Sequence, residues 1–200
     1  MTKPIISVAI MQLVERGLLA LDDPIEMYIP EAKGLLVANN PDLGVDSPTQ
    51  KVSRSLTILD LLTHTSGLSH GLGDSKLDQQ IFKALYDETL NYRSHESLED
   101  RAFMLLSFPL VAQPGTQWYY SAGADVLALI LQRVSKQSIP SYLKTNIFDP
   151  LDMHDTGYNL DELQSRRVMK LHSRNERDTV KRHEQQAVSY THLRAHETEE

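Results

Sequence analysis

Three groups of side chains in this 200-residue chain have the types and spacing to do chemistry. The first is Lys3, followed at once by Pro4 and the apolar repeat IISVAIMQLVER. A lysine in the first turn of a helix with a buried face can be held in a cleft. There it can act as a base toward a nucleophile one turn away on the same face. The ordinary alternative is a solvated surface charge, which is where most lysines sit. The second group is Tyr120-Ser121, closing the run Trp118-Tyr119-Tyr120-Ser121. By itself a tyrosine in such a run reads as a half-buried core residue with a satisfied hydroxyl. The third group is histidine-centred. His64, His70 and Asp74 share one loop, and His192 and His196 stand four apart. Both could be imagined as metal ligands, but loop spacing alone does not specify a site. His64, with Thr65, Ser66 and Gly67, reads as a helix end and turn, its imidazole bonded locally.

These residues need elements to position them. Pro4 suits the first turn of a helix, where its missing N–H costs nothing. Ile5, Val8, Ala9, Leu13 and Leu18 recur near helical spacing, and Gly17 suits a helix stop. Pro24–Tyr28 reads as a short helix. Residues 33–52, with Asn39-Asn40-Pro41 and Ser47-Pro48, read as a long surface loop. Thr57 and Asp60 form a capping-box pattern, as do Ser97 and Asp100. Helices are therefore expected from Thr57 to His64 and over 97–107, with another over 77–90. Pro109 and Pro114-Gly115 break the chain before Trp118. Asp125–Val134 is the most apolar helix and belongs at the centre of the core. Ile139–Phe148 and a segment from Asp161 to about Leu171 complete the helices. Almost nothing reads as strand.

Composition narrows the options. Hydrophobic residues make up 40% and charged residues 24%, an ordinary globular balance. There is no cysteine, which removes disulfides, thiolate metal sites and cysteine nucleophiles. The formal charge of −7 argues against nucleic acid or an anionic membrane as partner. No apolar run reaches the length of a membrane span. Residues 161–200 hold eight basic and eight acidic residues, so the negative charge lies in 1–160.

Four ordered stretches resemble the serine β-lactamase-like superfamily, which includes class C β-lactamases, D-alanyl-D-alanine carboxypeptidases and family VIII carboxylesterases. They are Met1-Thr2-Lys3 with the helix after it, Leu61-Leu62-Thr63-His64-Thr65-Ser66-Gly67-Leu68, Pro114-Gly115-x-x-Trp118-x-Tyr120-Ser121, and Phe148-Asp149-Pro150-Leu151-Asp152-Met153. The superfamily's first motif is Ser-x-x-Lys. Lys3 matches its lysine, and the serine is expected immediately before Met1. Tyr120 matches the tyrosine of Tyr-x-Asn, with Ala122 in place of the asparagine. A Tyr-Ser-x pattern is similar to the esterase branch.

The resemblance implies an α/β parent fold, a helical region packed on an antiparallel sheet, with this chain supplying mainly the helical part. It implies an acyl-serine mechanism on a small-molecule ester or amide. Lys3 and Tyr120 would share a proton near the serine, and Ser121 would contact substrate. No cofactor or metal is called for. Ser66 and Ser121 lack the context of a replacement nucleophile. The expected partition is a partial catalytic domain over 1–170, an extension over 171–187, and a non-native tail over 188–200 that resembles translated adaptor sequence. The chain by itself is expected to be inactive. The rival reading is a non-catalytic helical binding remnant of the same fold. Compartment, whether cytoplasmic or periplasmic, and oligomeric state stay open.

Overall fold

The structure is a computed structural model, and it describes residues 2–86, 97–157, 162–167, 172–174 and 180–182. Helices dominate. They are α1 (Thr2–Glu15), α2 (Ile58–Leu62), α3 (Lys76–Tyr86), α4 (Leu98–Ser107), α5 (Gly123–Ser135), α6 (Ile139–Leu143) and α7 (Glu162–Arg167). Short 3-10 turns cover Ile25–Met27, Pro30–Ala32 and Pro41–Asp46, and a π-turn over Lys144–Phe148 extends α6.

α5 is the hub. Every residue from Gly123 to Leu131 is buried, and α1, α2 and α4 all pack on it. A helix that is apolar on every side has to be enclosed this way. α1 buries Ile6, Ala9, Ile10 and Leu13 in the core. The face expected from sequence was rotated by about one residue, since Val8 is 50% exposed and Leu18 52%. The helix is apolar nearly all round, so spacing alone does not select its inner face. Gly17 ends it at φ +66°, a left-handed stop that glycine adopts without a Cβ penalty.

Both capping boxes form. Thr57 Oγ1 accepts from Asp60 N–H while Asp60 accepts from Thr57 N–H, and Ser97 and Asp100 repeat the pattern. Asp60 also receives Arg54 as a two-pronged ion pair, at 2.6 and 2.8 Å.

Residues 33–52 are not a plain loop. They contain β1 (Leu36–Ala38) and β2 (Thr49–Lys51), paired antiparallel. Each strand is three residues long, too short for an alternating pattern to register. Burial of Val37 and Ala38 fixes them. On its other edge β1 meets Leu110, with Ala38 N–H donating to Leu110 O and Leu110 N–H to Leu36 O. Gln113 adds a clamp, accepting from Ser53 N–H and donating to Lys51 O. The small hairpin therefore tethers the segment that leads into Tyr120. A second hairpin pairs β3 (His172–Arg174) with β4 (Val180–Arg182). The helices expected over 77–90 and from Asp161 are seen as α3 and α7; residues 87–90, 158–161, 168–171 and 188–200 lie outside the described residues.

Candidate active site

Two loops meet at the N-terminus of α5. One follows α2 and carries His64 to Asp74. The other runs from Phe108 to Ala122. Four backbone hydrogen bonds stitch them: Val111 N–H to Gly67 O, Gly115 N–H to Thr65 O, Tyr119 N–H to His64 O, and Ala122 N–H to Ser69 O. Gly67 is required at this seam. Its φ is +77°, and a Cβ there would lie 2.2 Å from Ala112 O.

Tyr119 turns inward. Its hydroxyl donates to Asp78 Oδ2 at 2.7 Å, and Ser69 and Ser75 hydroxyls donate to the same carboxylate. Asp78 is fully buried. Burial alone would raise its carboxyl. The three hydroxyls and Ser75 N–H outweigh it and hold the carboxyl below the ordinary value. Burial, with Asp78 beside it, pushes the Tyr119 phenol well up. Tyr119 is an anchor.

Tyr120 turns outward and is 43% exposed. Its hydroxyl makes no hydrogen bond among the described residues. Lys3 Nζ lies 5.1 Å from its ring centroid. Thus the structure brings together Lys3 and Tyr120, 117 positions apart in the chain. The contact is with the ring face, a cation–π arrangement worth about 0.5–1 kcal/mol at an exposed site. Three further rings surround Tyr120: His64 at 5.0 Å, His70 stacked at 5.5 Å, and Trp118 at 6.4 Å.

His64 and His70 are the residues that sequence reasoning undervalued. His64 sits at φ +58°, and its Nδ1 accepts from Ser121 N–H at 3.2 Å. A backbone N–H can only donate, so Nδ1 carries no proton and the neutral ring has its hydrogen on Nε2. Ser121 Oγ, 3.1 Å from Nδ1, donates there and accepts from Gly123 N–H. The imidazole is therefore bonded 57 residues away and not locally, as sequence had suggested. Burial first, then the Lys3 charge, lowers its pKa. His70 is buried and stacks on Tyr86, whose hydroxyl reaches its ring nitrogens. Arg101, ion-paired with Asp125 at 2.6 Å, covers the other ring of that stack.

Ser121 is fully buried, and its hydroxyl bonds His64 and Gly123. Ser66 is likewise buried, accepting from Leu68 N–H. One Ser-x-x-Lys match lies within the chain, Ser141 to Lys144. Both residues are exposed and Lys144 Nζ is held by Asp149, far in sequence from the loops that carry the site. Among the described residues, no three His, Asp or Glu side chains converge as a metal centre would need. His192 and His196 lie outside those residues.

Comparison with known proteins gives the family and the fold. The Beta-lactamase family model matches residues 1–191. Protein Rv1367c of Mycobacterium tuberculosis is 32% identical over 181 residues, which are 90% of this chain and 43% of that protein. Esterase EstB of Burkholderia gladioli is 32% identical over 158 residues, 78% of this chain and 36% of the esterase. Unliganded simvastatin synthase (LovD) of Aspergillus terreus superposes with a TM-score of 0.70 at 26% identity, over 91% of this chain and 45% of that one. A penicillin-binding protein from Bacillus halodurans shares the fold, with a TM-score of 0.62. The chain spans about two fifths of the length of the curated relatives it matches. With its helical architecture set beside these matches, the chain belongs to the serine β-lactamase-like superfamily.

Proposed function

We propose that Lys3 and Tyr120 are the proton-transfer pair of an acyl-serine hydrolase acting on small-molecule esters. The observation that carries this is the packing of the Lys3 ammonium on the Tyr120 ring, beside two histidines and an exposed tryptophan. The nucleophile is a serine one helical turn before Lys3, supplied by the whole protein. Its oxygen attacks the acyl carbonyl as its proton passes to the Lys3–Tyr120 pair. The carbon–oxygen bond to the leaving alcohol then breaks, and the pair returns the proton to that alcohol. Water attacks the acyl-serine in turn and releases the acid.

Ester substrates are favoured over β-lactams because Ala122 replaces the asparagine whose carboxamide, by resemblance, helps hold a β-lactam side chain. The names of relatives point the same way: Esterase EstB and Lovastatin esterase. Others are named as acyltransferases, among them mokF of Monascus pilosus. An alcohol in place of water in the second step gives that outcome from the same intermediate.

The 200 residues alone are expected to react with no fluorophosphonate and to hydrolyse no ester. A longer protein with serine directly before Met1 should be labelled stoichiometrically and cleave short-chain nitrophenyl esters faster than a chromogenic cephalosporin. Stoichiometric labelling of the 200-residue chain, or none of the longer one, overturns the reading. The second outcome would favour the non-catalytic binding remnant.

A further inference from the structure

We propose that neutral His64 is the positioning residue that holds Tyr120 against Lys3. Its consequence for rate rests on the acyl-transfer reading above; the clamp itself does not. His64 grips both neighbours of Tyr120. Its carbonyl takes Tyr119 N–H at 2.7 Å, and its Nδ1 takes Ser121 N–H at 3.2 Å. Its ring packs on the Tyr120 ring between these two attachments. No other side chain among the described residues hydrogen-bonds a backbone group on either side of Tyr120. The left-handed backbone at φ +58° turns the imidazole toward Ser121. Histidine, asparagine and aspartate tolerate that region better than most residues.

The attachment to the Ser121 amide works only while Nδ1 is an acceptor. Protonation places an N–H against the Ser121 N–H, two donors facing each other, and the bond is lost. The groups that face His64 act in the same sense or are neutral. Lys3 comes from α1 with a positive charge, and Tyr120, Trp118 and Ser121 come from the second loop. His70 meets the same Tyr120 ring from the first loop. No carboxylate among the described residues is bonded to the imidazole to stabilise its charged form. Acid therefore loosens the grip on the Ser121 amide, while the Tyr119 N–H bond to the His64 carbonyl stays.

Two variants separate positioning from folding. His64→Asn keeps a side-chain acceptor and suits a positive φ. His64→Gly suits the backbone but removes the acceptor. In the longer, serine-containing protein, His64→Gly should lose on the order of a hundredfold in kcat with KM little changed, the scale of a misplaced catalytic group. His64→Asn should restore most of that loss and lack the acid limb that His64 gives the rate profile. On the 200-residue chain, nitrogen NMR should show the His64 hydrogen on Nε2 above its pKa. The Ser121 amide should shift with the same midpoint as the imidazole. A proton on Nδ1, a Ser121 amide that ignores the titration, or full activity in His64→Gly overturns the proposal. If the longer protein has no esterase activity in any form, the acyl-transfer reading fails while the NMR titration still decides the clamp.

Discussion

Tyr119 and Tyr120 are consecutive residues that belong to two different regions. Behind Tyr119 lies a closed polar wall, where one buried carboxylate collects three hydroxyls. At Tyr120 the phenol is unpaired among the described residues, and the ring is held by other rings and a lysine. The difference shows how one short segment can be both rigid and reactive. Satisfied polar groups in a low-dielectric interior are costly to disturb, so the wall fixes the backbone. The open side leaves a phenol whose hydrogen-bonding capacity is uncommitted and ready for a reacting group.

Substitutions that exchange the two behaviours test the contrast. The largest effect belongs to Tyr120→Phe in the longer protein. Ester hydrolysis should fall about 10²–10⁴-fold, the range for a lost general acid–base group. Unfolding in urea should shift by no more than about 0.5 kcal/mol, because the hydroxyl anchors nothing. A variant that kept its rate, or lost much stability, would break the distinction.

Asp78→Ala comes next. It strands the hydroxyls of Ser69, Ser75 and Tyr119 and should cost roughly 3 kcal/mol in urea unfolding of the 200-residue chain. The wild-type carboxyl titrates below its ordinary value when folded. Its contribution is therefore present above about pH 4 and disappears as pH falls through the folded value. Asp78→Ala should flatten that part of the stability–pH curve. Equal acid sensitivity in the two proteins would show that the wall does not depend on this charge.

Tyr119→Phe is the smallest change, about 1 kcal/mol from one lost hydrogen bond. Its signature lies in alkali. The wild-type phenol keeps its proton above its ordinary value of 10.0 when folded, whereas the unfolded chain loses it. Wild-type stability accordingly declines as pH rises past about 10, and that component should be missing from the phenylalanine variant. Stability–pH curves that superpose through alkali would sharpen the wall down to Asp78 and the serines.

What could be read from sequence was mainly what is local. The capping boxes at Thr57 and Ser97 need only a spacing of three residues, and both form. α5 announced itself by unbroken apolarity. β1 and β2 were not legible, because each has three residues and depends on Leu110 as well as on the other. In the site, Lys3 and Tyr120 were reached through resemblance, since nothing near either residue names the other. In sequence His64 reads as a local turn residue, because its partner, Ser121, is 57 positions away. Asp78 lies in the first turn of α3, and only folding shows that it faces inward and meets Tyr119. A cue to His64 did exist, since histidine is among the few side chains that accept a left-handed helix end.

The seam between the two loops has a consequence for how such a site can change over generations. Its four bonds run from main chain to main chain, and at Gly67 the two backbones touch with no room for a side chain. Their spacing is thus largely independent of which side chains the loops carry. An exposed position such as Leu72 can be exchanged without shifting the frame that presents Tyr120. The fold separates what must stay from what can drift, so new substrate preferences can arise on an unaltered mount.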